Sequence, residues 1–395
     1  MKILVVCQHY YPEQFRITDI CEELVRRGNE VTVLTGLPNY PKGKIFKGYR
    51  WFQKRNETIN GVKVKRCWLI GRGQGKLRLS INYVSFMLSA SFKALFLKKD
   101  FDFVMVNQLS PVTMAVPALV YKKRTGKKVF LYCMDLWPES IVAVGLPKSG
   151  KLYDILYKLS RGIYKNIDVI ANTSEKFEDY FKNVLKLEKD YIYLPQYAEE
   201  MFSDVKSKPF DPNNIDLVFA GNVGKAQSVE TIISAANRIK EYKNIKIHIV
   251  GDGSAREKCE TMKNELALEN VIFHGRRPLS DMNEFYSMAD ALLLTLNKNE
   301  VVSYTLPGKL QSYMLAAKPI IASIDGAGAD VIRKAKCGLC CEAEDDETLA
   351  ENILKFASDA DAVLQYAENS RKYYDECFAK DNFFSSLDKI IKDNK

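Results

Sequence analysis

Histidine is the scarcest chemical resource of this 395-residue chain, with three in all, and His9, His248 and His274 are too far apart in sequence to match any metal-ligand spacing. Cysteine is sparse and odd in number, nine in total, which excludes a disulfide framework and reads as thiols of a reducing cytoplasm. The one cluster, Cys337-Gly-Leu-Cys340-Cys341, has no second pair at zinc-site distance and reads as a strand after a helix, so no metal is expected. The opening Met1-Lys-Ile-Leu-Val-Val-Cys lacks the length and the cleavage site of a signal peptide; it reads as a buried strand of a protein that stays inside the cell. Also missing is a Gly-x-Gly-x-x-Gly after that strand, where Cys7-Gln-His-Tyr-Tyr-Pro stands instead. Val250-Gly-Asp-Gly has two of the three glycines and reads as a plain strand-to-helix turn, and Gly71-Arg-Gly-Gln-Gly-Lys76 has the wrong spacing for a Walker loop. Nicotinamide-dinucleotide and Walker-type chemistries are thereby set aside.

What is present is ordinary globular composition, 47% hydrophobic and 27% charged, at a length that implies two domains. The charge is unevenly spread. Residues 1–200 carry 33 Lys+Arg against 19 Asp+Glu, a net of +14, while residues 201–395 carry 25 against 30, a net of −5. Within residues 41–100, 15 basic residues face only Glu57 and Asp100, interleaved with Phe46, Tyr49, Trp51, Phe52 and Trp68. Such a stripe suits an anionic membrane surface or nucleic acid, or is a solvated face without a partner; no recognised nucleic-acid module carries the aromatics. Beside it, residues 81–97 read as a helix apolar on most of its circumference. The uncharged stretch 79–92 is 14 residues, short of the roughly 20 a membrane span needs, which leaves a core helix or one lying in an interface.

Short β-branched runs alternate with amphipathic stretches along both halves. The first half has strands near 2–6, 30–34, 103–106, 128–132 and 169–171; the second has them near 216–220, 246–250, 271–274, 291–294, 319–322 and 338–340. This rhythm predicts an α/β fold of two doubly wound Rossmann-like domains facing across a cleft, with ligands beyond the carboxyl ends of the strands. The expected division is 1–197 and 198–377, with a terminal helix at about 378–395 packing back on the first domain.

Three glycine-rich loops in the second half stand at strand ends ahead of helices. The first, Gly221-Asn222-Val-Gly224-Lys225-Ala-Gln227, combines backbone approach, a helix N-terminus and a lysine, which suits phosphate. The second, Thr305-Leu-Pro307-Gly308-Lys309, has the same ingredients, and Asp325-Gly326-Ala-Gly328 is the third. Together they predict a diphosphate ligand. In the first half, Asp135-Leu-Trp137-Pro-Glu139 ends a strand with two carboxylates and an indole, and Asn39-Tyr40 sits in a rigid loop at another strand end. Trp137 and Tyr40 offer faces on which sugar rings stack, although Asp135 also fits a loop cap and Trp137 a core position. His9 stands at the end of the first strand, as a catalytic or as a structural residue.

These residues resemble a family. Gln8-His-Tyr-Tyr-Pro-Glu, Thr35-Gly-Leu-Pro-Asn-Tyr-Pro-Lys-Gly, Asp135-Leu-Trp-Pro-Glu-Ser, Gly221-Asn-Val-Gly-Lys-Ala-Gln and the run from Thr305 to Ala322 are similar to family 4 of the retaining glycosyltransferases, of GT-B fold. Within it they resemble the branch of fucosamine transferases of bacterial O-antigen and capsule assembly. The resemblance implies a UDP-sugar donor, N-acetylfucosamine or another deoxyamino sugar, with no metal or cofactor. It also implies an acceptor sugar on undecaprenyl diphosphate, and hence a cytoplasmic protein peripheral on an anionic membrane face. Retention would follow from same-face attack without a protein nucleophile, Asp135 or His9 orienting the acceptor and the backbone around Arg276 and Arg277 holding the base. Asn39, Tyr40, Trp137 and Glu139 would meet the acceptor. The chain departs from the family where two glutamates usually stand, at Tyr304 and Ser312, and where its phosphate residues fall on Asn222 and Gln227. Lys225 and Lys309 are the expected replacements for that positive charge, Lys309 acting where charge develops on the leaving group. A nucleotide-sugar epimerase of the same fold and an inactive scaffold of a polysaccharide-assembly complex are the rival readings.

Overall fold

The structure is a computed structural model of the chain and describes residues 1–50, 52–143 and 147–394. Trp51, counted above in the basic stripe, lies outside the described residues. The chain forms two compact units, Met1–Leu194 with Leu387–Lys395, and Pro195–Ser386. The division thus falls between Leu194 and Pro195 rather than after 197, and the return begins at Leu387 rather than near 378. The terminal helix Lys380–Asp393 explains the later return. Its first turns place Phe383 and Phe384 against Tyr197, at ring-centroid distances of 5.1 and 5.8 Å, within the second unit. Only beyond them does Asp388 pair with Arg27 of the first unit, at 3.1 Å.

The first unit is an eight-stranded sheet. Its strands are β1 (Lys2–Val6), β2 (Glu30–Thr35), β3 (Asn56–Ile59), β4 (Val62–Arg66), β5 (Phe103–Gln108), β6 (Val129–Cys133), β7 (Val169–Asn172) and β8 (Tyr191–Tyr193), in the order β3-β4-β2-β1-β5-β6-β7-β8. Every pairing is parallel except β3 with β4. Strand β1 is buried on both faces, Ile3 to Val6 being fully inaccessible, as a central parallel strand must be. The order reverses direction at β1 and β5, so the loops after these strands diverge and leave room for a ligand. The β3–β4 hairpin was not anticipated: Val62-Lys-Val-Lys-Arg66 reads as basic charge, yet its alternation puts Val62 and Val64 inside. Its turn is Asn60-Gly61, with φ of 47° and 83°, the left-handed pair a tight hairpin requires.

The helix expected at 81–97 runs Lys76–Ala94. Its inward face is small and polar, Asn82, Ser85, Phe86, Ala90 and Ala94, and packs against helix Val116–Thr125. The outward face carries Val84, Leu88 and Phe92, which are 49%, 60% and 66% exposed. It is therefore a core helix on one side and an apolar, uncovered surface on the other. Among the described residues no helix is long and apolar enough to cross a membrane.

The second unit is a six-stranded parallel sheet. Its strands β9 (Ile215–Ala220), β10 (Ile245–Val250), β11 (Val271–Gly275), β12 (Ala291–Thr295), β13 (Ile320–Ser323) and β14 (Gly338–Cys341) lie in the order β11-β10-β9-β12-β13-β14. Alternate residues of β9 enter two cores: Leu217 and Phe219 face helix Val229–Arg238 and its neighbours, while Val218 and Ala220 face the layer of Tyr286 and Tyr313. Each fully buried aliphatic side chain contributes about 1.5–3 kcal/mol, so these two layers hold the β9 end rigidly. The reversal of strand order lies between β9 and β12, beside the loops singled out by their glycines. The cysteine cluster spans the start and end of β14. Cys337 and Cys341 are buried and burial pushes their thiols up to about 12, while Cys340 is half-buried with its thiol pushed up to about 11.

Candidate active site

In the second unit a cavity of about 580 Å³ opens at the carboxyl ends of β9, β10 and β11. It is lined by Gly221, Asn222, Val250, Gly251, Asp252, Gly253, Arg276, Arg277 and Met282. Thus Gly221, Asn222, Arg276 and Arg277 come together as expected. Gly251, Asp252, Gly253 and Met282 were missed, because the Gly-Asp-Gly turn lacks the third glycine of a dinucleotide fingerprint. That turn is instead fitted to its neighbour: a Cβ at Gly253 would strike the Val223 carbonyl.

Lys309 is the cation of this region. It enters from the N-terminus of helix Gly308–Leu315 and lies alongside Gly221, whose φ of 141° and lack of a side chain make the space. A Cβ at Gly221 would collide with the end of the lysine. Its Nζ sits 3.8 Å from the centroid of the Phe219 ring, buried and without a hydrogen-bond partner. Burial alone pulls the amine down to about 7. An ammonium left unpaired in a protein interior is costly, and a bound anion at the neighbouring cavity relieves that cost.

The other residues of the three loops divide. Gly224 is buried; the Asn222 side-chain amide donates to Gln227 Oε1 at 2.9 Å, and the Gln227 carbonyl accepts the Thr295 hydroxyl at 2.6 Å. This loop is therefore braced onto the end of β12. Lys225, however, is exposed in a single 3-10 turn, Lys225–Gln227, and does not line the cavity, because Ser228 at φ 43° separates that turn from the helix that follows. The third loop is a correction. Gly326 and Gly328 serve packing, since a Cβ at Gly326 would strike the Ser303 carbonyl and one at Gly328 would lie 3.1 Å from Pro307 Cδ. They brace the segment of Thr305 and Pro307 from behind rather than lining the cavity. At Ser312, where the family has a glutamate, the hydroxyl donates to Glu199 Oε2 at 3.2 Å, which returns a carboxylate to that position from a distant part of the chain.

In the first unit, His9 is buried, with Nδ1 3.0 Å from Glu13 Oε2 and its ring stacked on Phe15 at 5.0 Å. Glu13 Oε1 also accepts the backbone N–H groups of Asn39 and Tyr40, at 2.8 and 2.6 Å. This buried carboxylate, which the sequence did not reveal, fixes the loop after β2 to the loop after β1. Asp135 follows β6, hydrogen-bonded by Ser110, and Ser110 lies 3.0 Å from the Ser140 hydroxyl. Burial outweighs those hydroxyls and pushes the Asp135 carboxyl up to about 6.

Three expected acceptor contacts are overturned by burial. Trp137 is 5% exposed and its indole N–H donates to Ser110 at 2.9 Å, so its face is packed rather than offered to a sugar. Glu139 is 1% exposed and accepts the Tyr153 hydroxyl at 2.7 Å. Asn39 is wholly buried, donating to the Leu37 carbonyl at 2.9 Å and accepting the Arg72 N–H at 3.0 Å. Tyr40 alone of the four remains open, 38% exposed, with the Arg72 guanidinium 5.4 Å from its ring centroid.

Residues 14–192 match the Glycosyl transferase 4-like domain family, and residues 200–373 match Glycosyl transferases group 1. Both halves of the chain are glycosyltransferase domains. A relative from Escherichia coli (strain K12), named a colanic acid biosynthesis glycosyl transferase, WcaI, is 26% identical over 334 residues, covering 80% of this chain and 81% of the relative. Sucrose-phosphate synthase from Thermosynechococcus elongatus superposes with a TM-score of 0.77 at 14% identity, over 99% of this chain and 98% of its own. Anabaena Alr3699/HepE, solved in complex with UDP, gives 0.73 at 14% identity over the whole of both chains. The fold of this glycosyltransferase is GT-B, with a Rossmann-like sheet in each unit.

Proposed function

We propose that this protein is a retaining glycosyltransferase that moves a sugar from a UDP-sugar to a lipid-linked saccharide during assembly of a bacterial surface polysaccharide such as O-antigen or capsule. The observation that carries this reading is Lys309, an unpartnered buried amine beside Gly221 at the edge of an open cavity. A diphosphate seated over Gly221 gives that amine its counter-charge, and the glycines of β9 and β10 let phosphate oxygens approach the backbone. Arg276 and Arg277 stand at the far wall for the base. The UDP complex of HepE and the colanic acid assignment of WcaI support the donor and the pathway class. The branch resemblance favours N-acetylfucosamine or another deoxyamino sugar as the group moved.

In the transfer, the bond from the anomeric carbon to the leaving phosphate oxygen breaks with its electron pair remaining on the phosphate. The acceptor hydroxyl oxygen bonds to the same face of the anomeric carbon, and its proton passes to the departing phosphate. Lys309 stabilises the charge gathering there. Asp135 or His9 orients the acceptor hydroxyl, and the chemistry calls on no metal or cofactor. The basic stripe and the outward face of helix Lys76–Ala94 would rest on the anionic cytoplasmic face of the membrane.

Calorimetric titration of UDP and GDP into wild type and Lys309→Ala tests the reading. Saturable UDP binding is expected, weakened tenfold or more by the substitution, since a hydrogen bond to a charged group contributes about 1.5–3 kcal/mol. Removing a buried unpaired amine leaves the fold intact, so the loss reports binding. Absence of any nucleotide binding by wild type would sink the proposal in favour of a scaffold.

A further inference from the structure

Two adjoining cavities in the first unit share one wall, Trp68. The larger, about 760 Å³, is ringed by cations from separate segments, among them Lys44, Arg50, Arg55 and Arg78, and among the described residues no carboxylate lines it. The other, about 640 Å³, is a groove along helix Lys76–Ala94 walled by Ile81, Val84, Leu88 and Phe92. Its serines are turned to the protein: Ser85 donates to the Asn82 carbonyl at 2.9 Å and Ser89 to the Trp68 carbonyl, so the groove presents hydrocarbon. Both volumes fall in the range of small-molecule sites rather than flat surfaces.

We propose that these two cavities form a seat for one prenyl diphosphate lipid, its diphosphate in the pocket of Arg50 and Arg78 and its hydrocarbon chain in the groove of Val84, Leu88 and Phe92. The inference rests on the lipid-linked acceptor of the proposed function and gives it a place. Convergent cations with no acid among them demand a multiply charged anion. The continuous apolar groove beginning at Trp68 demands that the anion carry a hydrocarbon tail. A nucleic-acid backbone meets the first demand and fails the second. The stripe continues beyond the groove, with Phe96 at 5.1 Å from Phe92, which suits a chain longer than the cavity that runs on toward the bilayer. At the other end, Leu37 and Gly43 line the cationic pocket and flank Tyr40 in sequence. A saccharide attached to the diphosphate is thus led onto the loop that Glu13 fixes at the carboxyl end of the sheet.

Farnesyl diphosphate, a soluble short prenyl diphosphate, is the probe, titrated calorimetrically into the full chain alongside inorganic pyrophosphate, farnesol and phosphatidylglycerol vesicles. The expected result is saturable binding of farnesyl diphosphate at least tenfold tighter than pyrophosphate or farnesol, and weakened at least tenfold by Arg78→Glu and by Leu88→Asp separately. Both side chains are exposed, so neither change disturbs the core. Pyrophosphate binding as tightly as farnesyl diphosphate, with Leu88→Asp silent, would overturn the seat in favour of a simple anion pocket. Binding of vesicles but not of the monomeric lipid would overturn it in favour of a diffuse membrane face. UDP titrated into the same samples separates the two readings: intact UDP binding with no prenyl diphosphate binding removes the seat alone, whereas lost UDP binding in wild type removes the transferase reading.

Discussion

Lys309 and Asp135 are each held away from the protonation state their residue type has in water, both by burial and in opposite electrical senses. With its amine lowered to about 7, Lys309 is roughly nine-tenths neutral at pH 8 in the free protein. Binding a diphosphate favours the ammonium, so UDP binding at pH 8 takes up close to one proton, and at pH 6 almost none. Titrations in buffers of different ionisation enthalpy check this, with buffer-dependent heats expected at pH 8 only. Affinity declines as pH rises above 7. Asp135 carries a stability cost instead. Its carboxyl is raised from 3.8 unfolded to about 6 folded, so the native state binds the extra proton between those values. Stability is unaffected by the group below pH 3.8, falls as pH rises from there through 6, and the full cost is present above. Asp135→Asn is therefore expected to raise stability at pH 8 by about 1–2 kcal/mol and to leave it unchanged near pH 3, as urea unfolding would show.

At the scale of elements, the hairpin of β3 and β4 offers a clean test. Gly61 holds φ 83°, and a Cβ there would come within 2.8 Å of Val25 Cγ1. Gly61→Ala should cost about 1–2 kcal/mol in urea unfolding while leaving UDP affinity unchanged. That hairpin also marks a limit of sequence reading. The central strands were legible because β-branched runs buried on both faces have few alternatives. The hairpin was hidden by Lys63 and Lys65, which give its outer face the look of a charge run, and only Asn60-Gly61 betrayed it. The three-residue β8 was too short to show a period. The site divided for a similar reason. Gly221, Lys309, Arg276 and Arg277 stand at strand or helix ends, which local pattern locates. Asn39, Trp137 and Glu139 have side chains of the right chemistry pointed inward, a matter decided by packing from other segments. Glu13 was invisible because its role exists only once the loops after β1 and β2 meet, and Glu199 because Ser312 lies far along the chain.

The molecule as a whole consists of two units with separate cores, so a single unfolding transition is not expected. Scanning calorimetry should resolve two, and UDP should shift only that of Pro195–Ser386. At a hundredfold excess over its dissociation constant the ligand adds about 2.7 kcal/mol, which raises that midpoint by about 5–10 °C. The units also differ electrically. With a net of +14 in residues 1–200 and −5 in the remainder, the protein is a macroscopic dipole. Near a negatively charged sheet such a body experiences a torque before any atom touches, and it turns its basic part forward while still in diffusion. The screening length of about 8 Å at physiological salt confines that turning to the last stretch of approach. Arrival in the right orientation is thus a property of the charge distribution, set before the groove or the pocket has met its lipid.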